Sequence, residues 1–394
     1  MQFLQLHQSF KADSSTGKLS LKPIIEKGHA FSTSPLILAV SLALAACGGG
    51  GSGVSSDPAM AAPVGNSSPA AAQSTPATPT AQSGVAAPSP SGDSLAPRVD
   101  LLSIPKPSSG FASDRVQATS EQPSGPGDIG AFRTSCTPSH MLFDDPIVYP
   151  GQPGKSHLHV FFGNTAANGN STVASIAGTG NSTCRGGTVN RSAYWVPAMI
   201  DTRSGAPVVP EDLGVYYKTG YNGIAPSAVK AFPAGLRMIA GDGKNAAPGG
   251  PSRYKCASSF SLFNGPSLDG AERCPVGDTV IAEIFFPQCW DGVNLDSPDH
   301  KSHMAYPSGG KCPSTHPVPM SEITFNVAYK VKEAGATKFW RLSSDNYVGP
   351  AGYSAHGDWF NGWKEDAMSA FVTRCNNAAR DCHSHLLGDG RMIF

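Results

Sequence analysis

The stretch Glu322-Ile323-Thr324-Phe325-Asn326-Val327-Ala328-Tyr329-Lys330-Val331 decides the fold class. Ile323, Phe325, Val327 and Tyr329 hold alternate positions, so in an extended chain all four side chains leave one face. Runs of similar character recur between Gly, Pro and Asn turns: His157 to Phe162, Ala193 to Ile200, Gly214 to Lys218, Leu236 to Ala240, Val280 to Phe286 and Lys338 to Leu342. One segment follows a different period. Trp363, Ala367, Phe371 and Cys375 recur every four residues within Gly362 to Ala378, which predicts a C-terminal helix with those four on one face. The pattern as a whole predicts a mainly β domain, a sandwich or jelly-roll with long loops.

Composition agrees. The 394 residues include 44 Gly and 34 Pro, and only 15% are charged, which argues against a helical bundle or coiled coil. Lys+Arg 29 balance Asp+Glu 29. With no basic excess to neutralise phosphates, nucleic acid is not expected as a partner. The single apolar run near membrane length lies close to the N-terminus, which excludes a polytopic membrane protein.

That run, Pro35 to Ala46, follows Lys11, Lys18, Lys22 and Lys27 and ends in Leu44-Ala45-Ala46-Cys47. A basic segment, a short apolar segment and small residues before the cut describe a secretory signal. The cysteine at the cut resembles a bacterial lipobox, so residues 1–46 are expected to be a lipoprotein signal peptide and Cys47 the lipidated N-terminus of the mature chain. Several acyl chains at ~0.8 kcal/mol per buried methylene make a stable membrane anchor. The expected location is the cell envelope. Gly48, rather than Asp, follows the lipid cysteine, which resembles the outer-membrane class in a Gram-negative host. Residues 47–128 are mostly Gly, Ser, Ala, Pro, Thr and Gln, and are expected to form a disordered tether that cannot offset its ordering entropy by burial. Residues 129–394 are expected to fold.

Apart from Cys47, eight cysteines remain: Cys136, Cys184, Cys256, Cys274, Cys289, Cys312, Cys375 and Cys382. An even number in an exported domain predicts disulfides. Sequence neighbours favour Cys256–Cys274, Cys289–Cys312 and Cys375–Cys382, leaving Cys136–Cys184. No CxxC pair is present, so zinc on thiolates is not expected.

The histidines fall in groups. His157 and His159 flank Leu158, so in an extended chain both imidazoles face one side, ready to hold a divalent metal or to bracket a polar substrate. The segment Cys289 to His303 carries Trp290, Asp291, Asn294, Asp296, Asp299, His300 and His303. Its carboxylates and Asn294 suit calcium, its imidazoles suit zinc or copper, and a carboxylate–imidazole pair suits acid–base chemistry. A self-capping loop explains the same residues without any site. The third group is His356-Gly357-Asp358-Trp359-Phe360-Asn361-Gly362-Trp363, in which the glycines allow tight turns and Asp358 can orient His356. The expected catalytic set is His157, His159, Asp296, Asp299, His300, His303, His356 and Asp358. The expected metal ligands are His157, His159 and His303. Trp195, Trp290, Asn294 and Trp359 are the expected substrate contacts, and all three groups are expected to meet in one cleft.

Six ordered segments resemble a known family. They are Asp145 to Gly151, Ser156 to His159, Tyr194 to Ala198, Phe232 to Gly241, Phe286 to Gly292 through Tyr306-Pro307, and His356-Gly357-Asp358 with Asn361-Gly362-Trp363. The chain is similar to the domain of unknown function numbered nineteen ninety-six over roughly 130–375. That resemblance implies an exported protein in a glycan or cell-surface setting and implies no reaction. Two functions are expected to compete: a surface-tethered hydrolase or lyase of cell-wall or extracellular glycan, and a non-catalytic module that binds a polysaccharide or surface.

Overall fold

The computed structural model describes residues 97–346 and 349–394. The expectations for residues 1–96, including the signal peptide, the lipidation of Cys47 and most of the tether, lie outside the described residues. No helix among the described residues is long and apolar enough to cross a membrane.

Two antiparallel sheets carry the fold. The six-stranded sheet runs in the order Asn264–Gly265, Ser252–Cys256, Thr279–Phe285, Glu322–Lys330, Asp212–Lys218, Ala131–Cys136. Its centre is the alternating stretch, and Ile323, Phe325, Val327 and Tyr329 are all buried. Phe325 stands opposite Ile284 on one neighbour and Val215 on the other. The five-stranded sheet runs Pro138–Leu142, His159–Gly163, Ala193–Pro197, His356–Phe360, Arg237–Gly241.

The inner faces of the two sheets share one core. Tyr194 of the five-stranded sheet meets Phe325 edge-on at 5.8 Å, and Phe286 packs on Phe325 at 4.5 Å. This contact explains Gly357. A Cβ there would stand 3.0 Å from Phe325 and 3.2 Å from Phe286, closer than ordinary packing allows. Sequence reading made Gly357 a turn residue. Instead it lies inside the His356–Phe360 strand, and its missing side chain lets the sheets approach.

The C-terminal helix forms at Glu365–Phe371 and continues through a π turn at Val372–Asn376. Trp363, Ala367, Phe371 and Cys375 are all buried, as their spacing predicts. Four disulfides join Cys136–Cys184, Cys256–Cys274, Cys289–Cys312 and Cys375–Cys382.

The tether boundary is different from the expected one. Residues 97–128, assigned to the tether on composition, run along the folded domain. Val116–Ala118 pairs with Arg391–Ile393, the Phe111 amide donates to Ser182 O at 2.7 Å, and Asp114 accepts from Thr188 at 2.6 Å. The partners of this segment lie far away in sequence, so its composition gives no sign of them.

Candidate metal centre

The outer face of the five-stranded sheet carries a second apolar cluster that includes Phe161, Trp195, Ile239 and Phe360. Strand alternation sets polar groups into it. Gly357 and Trp359 face the inner core, so His356 and Asp358 face outward, and register puts Asp358 between Trp195 and Ile239. On the neighbouring strand Val160 and Phe162 face inward, which turns His159 outward. Leu158 is in the inner core, and the rings of its neighbours His157 and His159 lie tilted against each other with centroids 4.2 Å apart. His356 closes the group, with its ring centroid 5.0 Å from His157 and 5.5 Å from His159.

Backbone carbonyls fix two of these rings. His159 Nδ1 lies 2.9 Å from Asp144 O, and His356 Nδ1 lies 2.8 Å from Ser354 O. A carbonyl only accepts, so both Nδ1 atoms carry the proton and both Nε2 atoms present lone pairs. Those Nε2 atoms are 3.3 Å apart. A proton between them would require a buried imidazolium. Burial, reinforced by His356, pushes the His159 pKa down to about 3, and burial pushes His356 down to about 4. At neutral pH the two nitrogens therefore face each other as bare acceptors. Two nitrogens each ~2.0–2.1 Å from one tetrahedral ion would be separated by roughly 3.3–3.4 Å.

Further unpaired donors point to the same place. His157 Nε2 is buried without a hydrogen-bond partner, and burial together with His159 and His356 holds that ring well below its ordinary pKa. Asp358 is wholly buried, and neither carboxylate oxygen receives a hydrogen bond from the protein. Its Oδ2 lies 4.0 Å from His356 Nε2. Burial, and then the charge of Asp145, push the Asp358 carboxyl well above the ordinary range. An orphaned buried carboxylate is costly unless a cation or proton accompanies it. His140 provides the contrast. It is buried nearby, yet both ring nitrogens are used, at 2.8 Å from Ser139 Oγ and 2.8 Å from Ala167 O.

The donor atoms of His157, His159 and His356 lie within 4.8 Å of one another, and so do those of Asp145, His159 and Asp358. His159 belongs to both sets, so the two sets adjoin through its ring. Asp145 Oδ1 is held by the Ile147 and Val148 amides, each at 2.9 Å, and burial raises its pKa. Asp144 ties down two loops that follow it by accepting from the Gly154 and Gly169 amides, each at 2.7 Å. Three imidazoles and two carboxylates fit zinc or another first-row transition ion better than calcium, which takes oxygen ligands. A divalent ion would also balance the two carboxylates. Such an ion polarises a bound oxygen and lowers the pKa of water.

The Cys289 to His303 segment packs beside this centre without entering it. His303 is fully bonded, at 2.7 Å from Arg237 O and 2.9 Å from Ser297 Oγ, so it has no free nitrogen for a metal. His356 holds the place that sequence reading gave to His303. Asp296 is taken by Arg237 at 2.8 Å and His300 at 3.0 Å. Asp291 accepts from Val293 and Asn294, and Asp299 accepts from Ser297, Lys301 and Ser302. This is the self-capping loop. Trp195 and Trp359 are 0% exposed and leave no ring face for a substrate, and Trp290 donates to Asn294 O at 2.6 Å. Sequence reading passed over Asp145, although it opens the first of the ordered segments. It also missed that His356-x-Asp358 repeats the i, i+2 spacing of His157-x-His159.

A family model described as domain of unknown function (DUF1996) matches residues 145–363, more than half of the chain. The chain belongs to the DUF1996 family. The match begins on Asp145 and ends on Trp363, so the DUF1996 segment contains all five side chains of the two sets. No curated protein and no solved structure matches the chain.

Proposed function

We propose that this DUF1996 protein is an exported, envelope-tethered enzyme that cleaves extracellular glycan at a divalent-metal centre held by His157, His159, His356 and Asp358. The reading is carried by one observation: the facing Nε2 atoms of His159 and His356 beside a buried carboxylate with no donor. Asp358, with both oxygens open, is the ligand. Asp145 has one oxygen fixed by two amides, and the other is available to hold a proton at the same point. Four disulfides support an oxidising compartment, and the Leu44-Ala45-Ala46-Cys47 motif supports a lipid anchor on Cys47. An open groove beside the centre, lined by Lys244, Asn245, Lys301 and Tyr306, supports an extended substrate.

Burial of the centre favours a second reading, a glycan-binding module with a structural metal, because His356 and Asp358 are both buried. Incubating the metal-loaded chain with a panel of cell-wall and extracellular polysaccharides separates the two. New chain ends that vanish with a chelator and in Asp358→Asn support cleavage. Binding without new ends in every case selects the binding module.

A further inference from the structure

The groove beside the centre is bounded on one side by the segment from Gly241 to Pro251 and on the other by Lys301 and Tyr306. Its wall is also the roof of the centre: a Cβ on Gly243 would lie 3.0 Å from His356 Cε1 and 3.6 Å from His157 Cε1. The backbone at Gly243, within the segment that bounds the groove, therefore lies against the centre.

The groove carries two ammonium groups and one carboxylate, Asp242. Asp242 Oδ1 is engaged with the Lys244 amide at 2.9 Å, bracing its own turn. The Lys301 ammonium donates to Gly241 O at 2.9 Å, and its charge reaches both His356 and Asp358. The Lys244 ammonium has no hydrogen bond or ion pair among the described residues, although it is exposed in a chain whose charges balance overall. Tyr306 adds an aromatic wall: its hydroxyl is anchored to Phe285 O at 2.8 Å while the residue is 47% exposed. A ring held at its hydroxyl end lines the groove at little entropic cost.

We infer that the groove binds a polysaccharide bearing repeated carboxylates, a uronic-acid polymer, with the Lys244 ammonium as the specificity-determining charge and Tyr306 as a stacking surface for a sugar ring. This rests on the glycan reading above and narrows its substrate class. A neutral glucan would leave the Lys244 charge unanswered, whereas a polyanion is drawn along the groove by both ammoniums.

The test is titration of the full chain with polygalacturonate, alginate and fully methyl-esterified polygalacturonate, with metal content measured on the same samples. Binding of a charged polymer, weakened by salt and at least tenfold by Lys244→Glu, retained by Lys244→Arg and absent for the methyl ester, is the expected result. Equal binding of charged and esterified polymers, indifference to Lys244→Glu, or no binding of either charged polymer by metal-replete protein would overturn the inference. Uronate binding by a chain that takes up no metal would instead overturn the metal-enzyme reading and leave the groove assignment standing.

Discussion

The Nε2 atoms of His159 and His356 face each other at 3.3 Å, each ring locked in place by an Nδ1–H bond to a backbone carbonyl. Two neutral imidazoles gain nothing from this arrangement in isolation. A shared cation makes it favourable, and the outward hydrogen bonds are the kind that orient metal-ligating histidines.

Asp358→Asn should act in opposite directions with and without metal. The amide keeps the shape of the side chain and removes a buried charge that has no donor. In metal-free protein it should raise the melting temperature, because the carboxyl it replaces must either take up a proton or hold an uncompensated charge. In metal-replete protein it should weaken metal affinity by at least about tenfold, on the scale of losses seen when a metal's surroundings are altered. Calorimetry of both forms checks this. A drop in metal-free stability would make Asp358 a structural acceptor.

Gly243→Val should loosen the centre from above. A Cβ there meets His356 Cε1 at 3.0 Å, so the His356 ring or the backbone at Gly243 must give way. The measurement is metal dissociation into excess chelator, expected to be faster in the variant with unchanged far-ultraviolet dichroism. Gly178→Ala, which meets nothing within 4 Å, should leave the rate alone.

Much of the fold was legible in the sequence, because strand alternation and cysteine spacing are local signals. Ile323 to Tyr329 and Trp363 to Cys375 show their faces directly. The strand containing His356 was not legible, because Gly357 reads as a turn residue until the opposing Phe325 and Phe286 are in view. Within the candidate site, His157 and His159 stood out as a same-face pair, whereas the choice between His303 and His356 depends on which nitrogens are already bonded. Arg237 O and Ser297 take both nitrogens of His303, whereas Ser354 O takes only Nδ1 of His356. Residues 97–128 look like tether in composition and become part of the domain through partners such as Ile393 and Ser182.

Acid should destabilise the metal-free domain before it titrates ordinary carboxylates. His157, His159 and His356 have folded pKa values depressed by burial, so below pH 6.5 the unfolded chain binds protons that the folded chain refuses. Their contribution is present above 6.5 and is lost as pH falls toward about 4 for His356 and about 3 for His159. Asp145 and Asp358 have raised folded values and work the other way: their contribution is full below the unfolded carboxylate pKa and is lost as pH rises through the folded one. Burial also depresses His140 and raises Asp212, so four imidazoles outnumber three carboxyls and net stability should fall from pH 6.5 to 4, by roughly 1.4 kcal/mol per pH unit for each net proton. Urea titrations of chelated protein across that range measure the slope. A flat or rising profile on acidification would contradict the burial of these rings.

The disulfide Cys289–Cys312 closes the segment that packs beside the centre, with a sequence separation of 23. Replacing both cysteines by alanine should cost roughly 3 kcal/mol on the loop-entropy model. Denatured, unreduced protein should show no reactive thiol among the eight cysteines beyond Cys47.

The central claim is tested most directly by elemental analysis of the full chain, purified with neither an affinity tag nor a chelator. About one divalent transition ion per chain is predicted, with the content collapsing in His356→Ala and Asp358→Asn and unchanged in His303→Ala. Substoichiometric metal, with a melting temperature indifferent to chelator, would contradict it, as would metal that survives His356→Ala and is lost in His303→Ala.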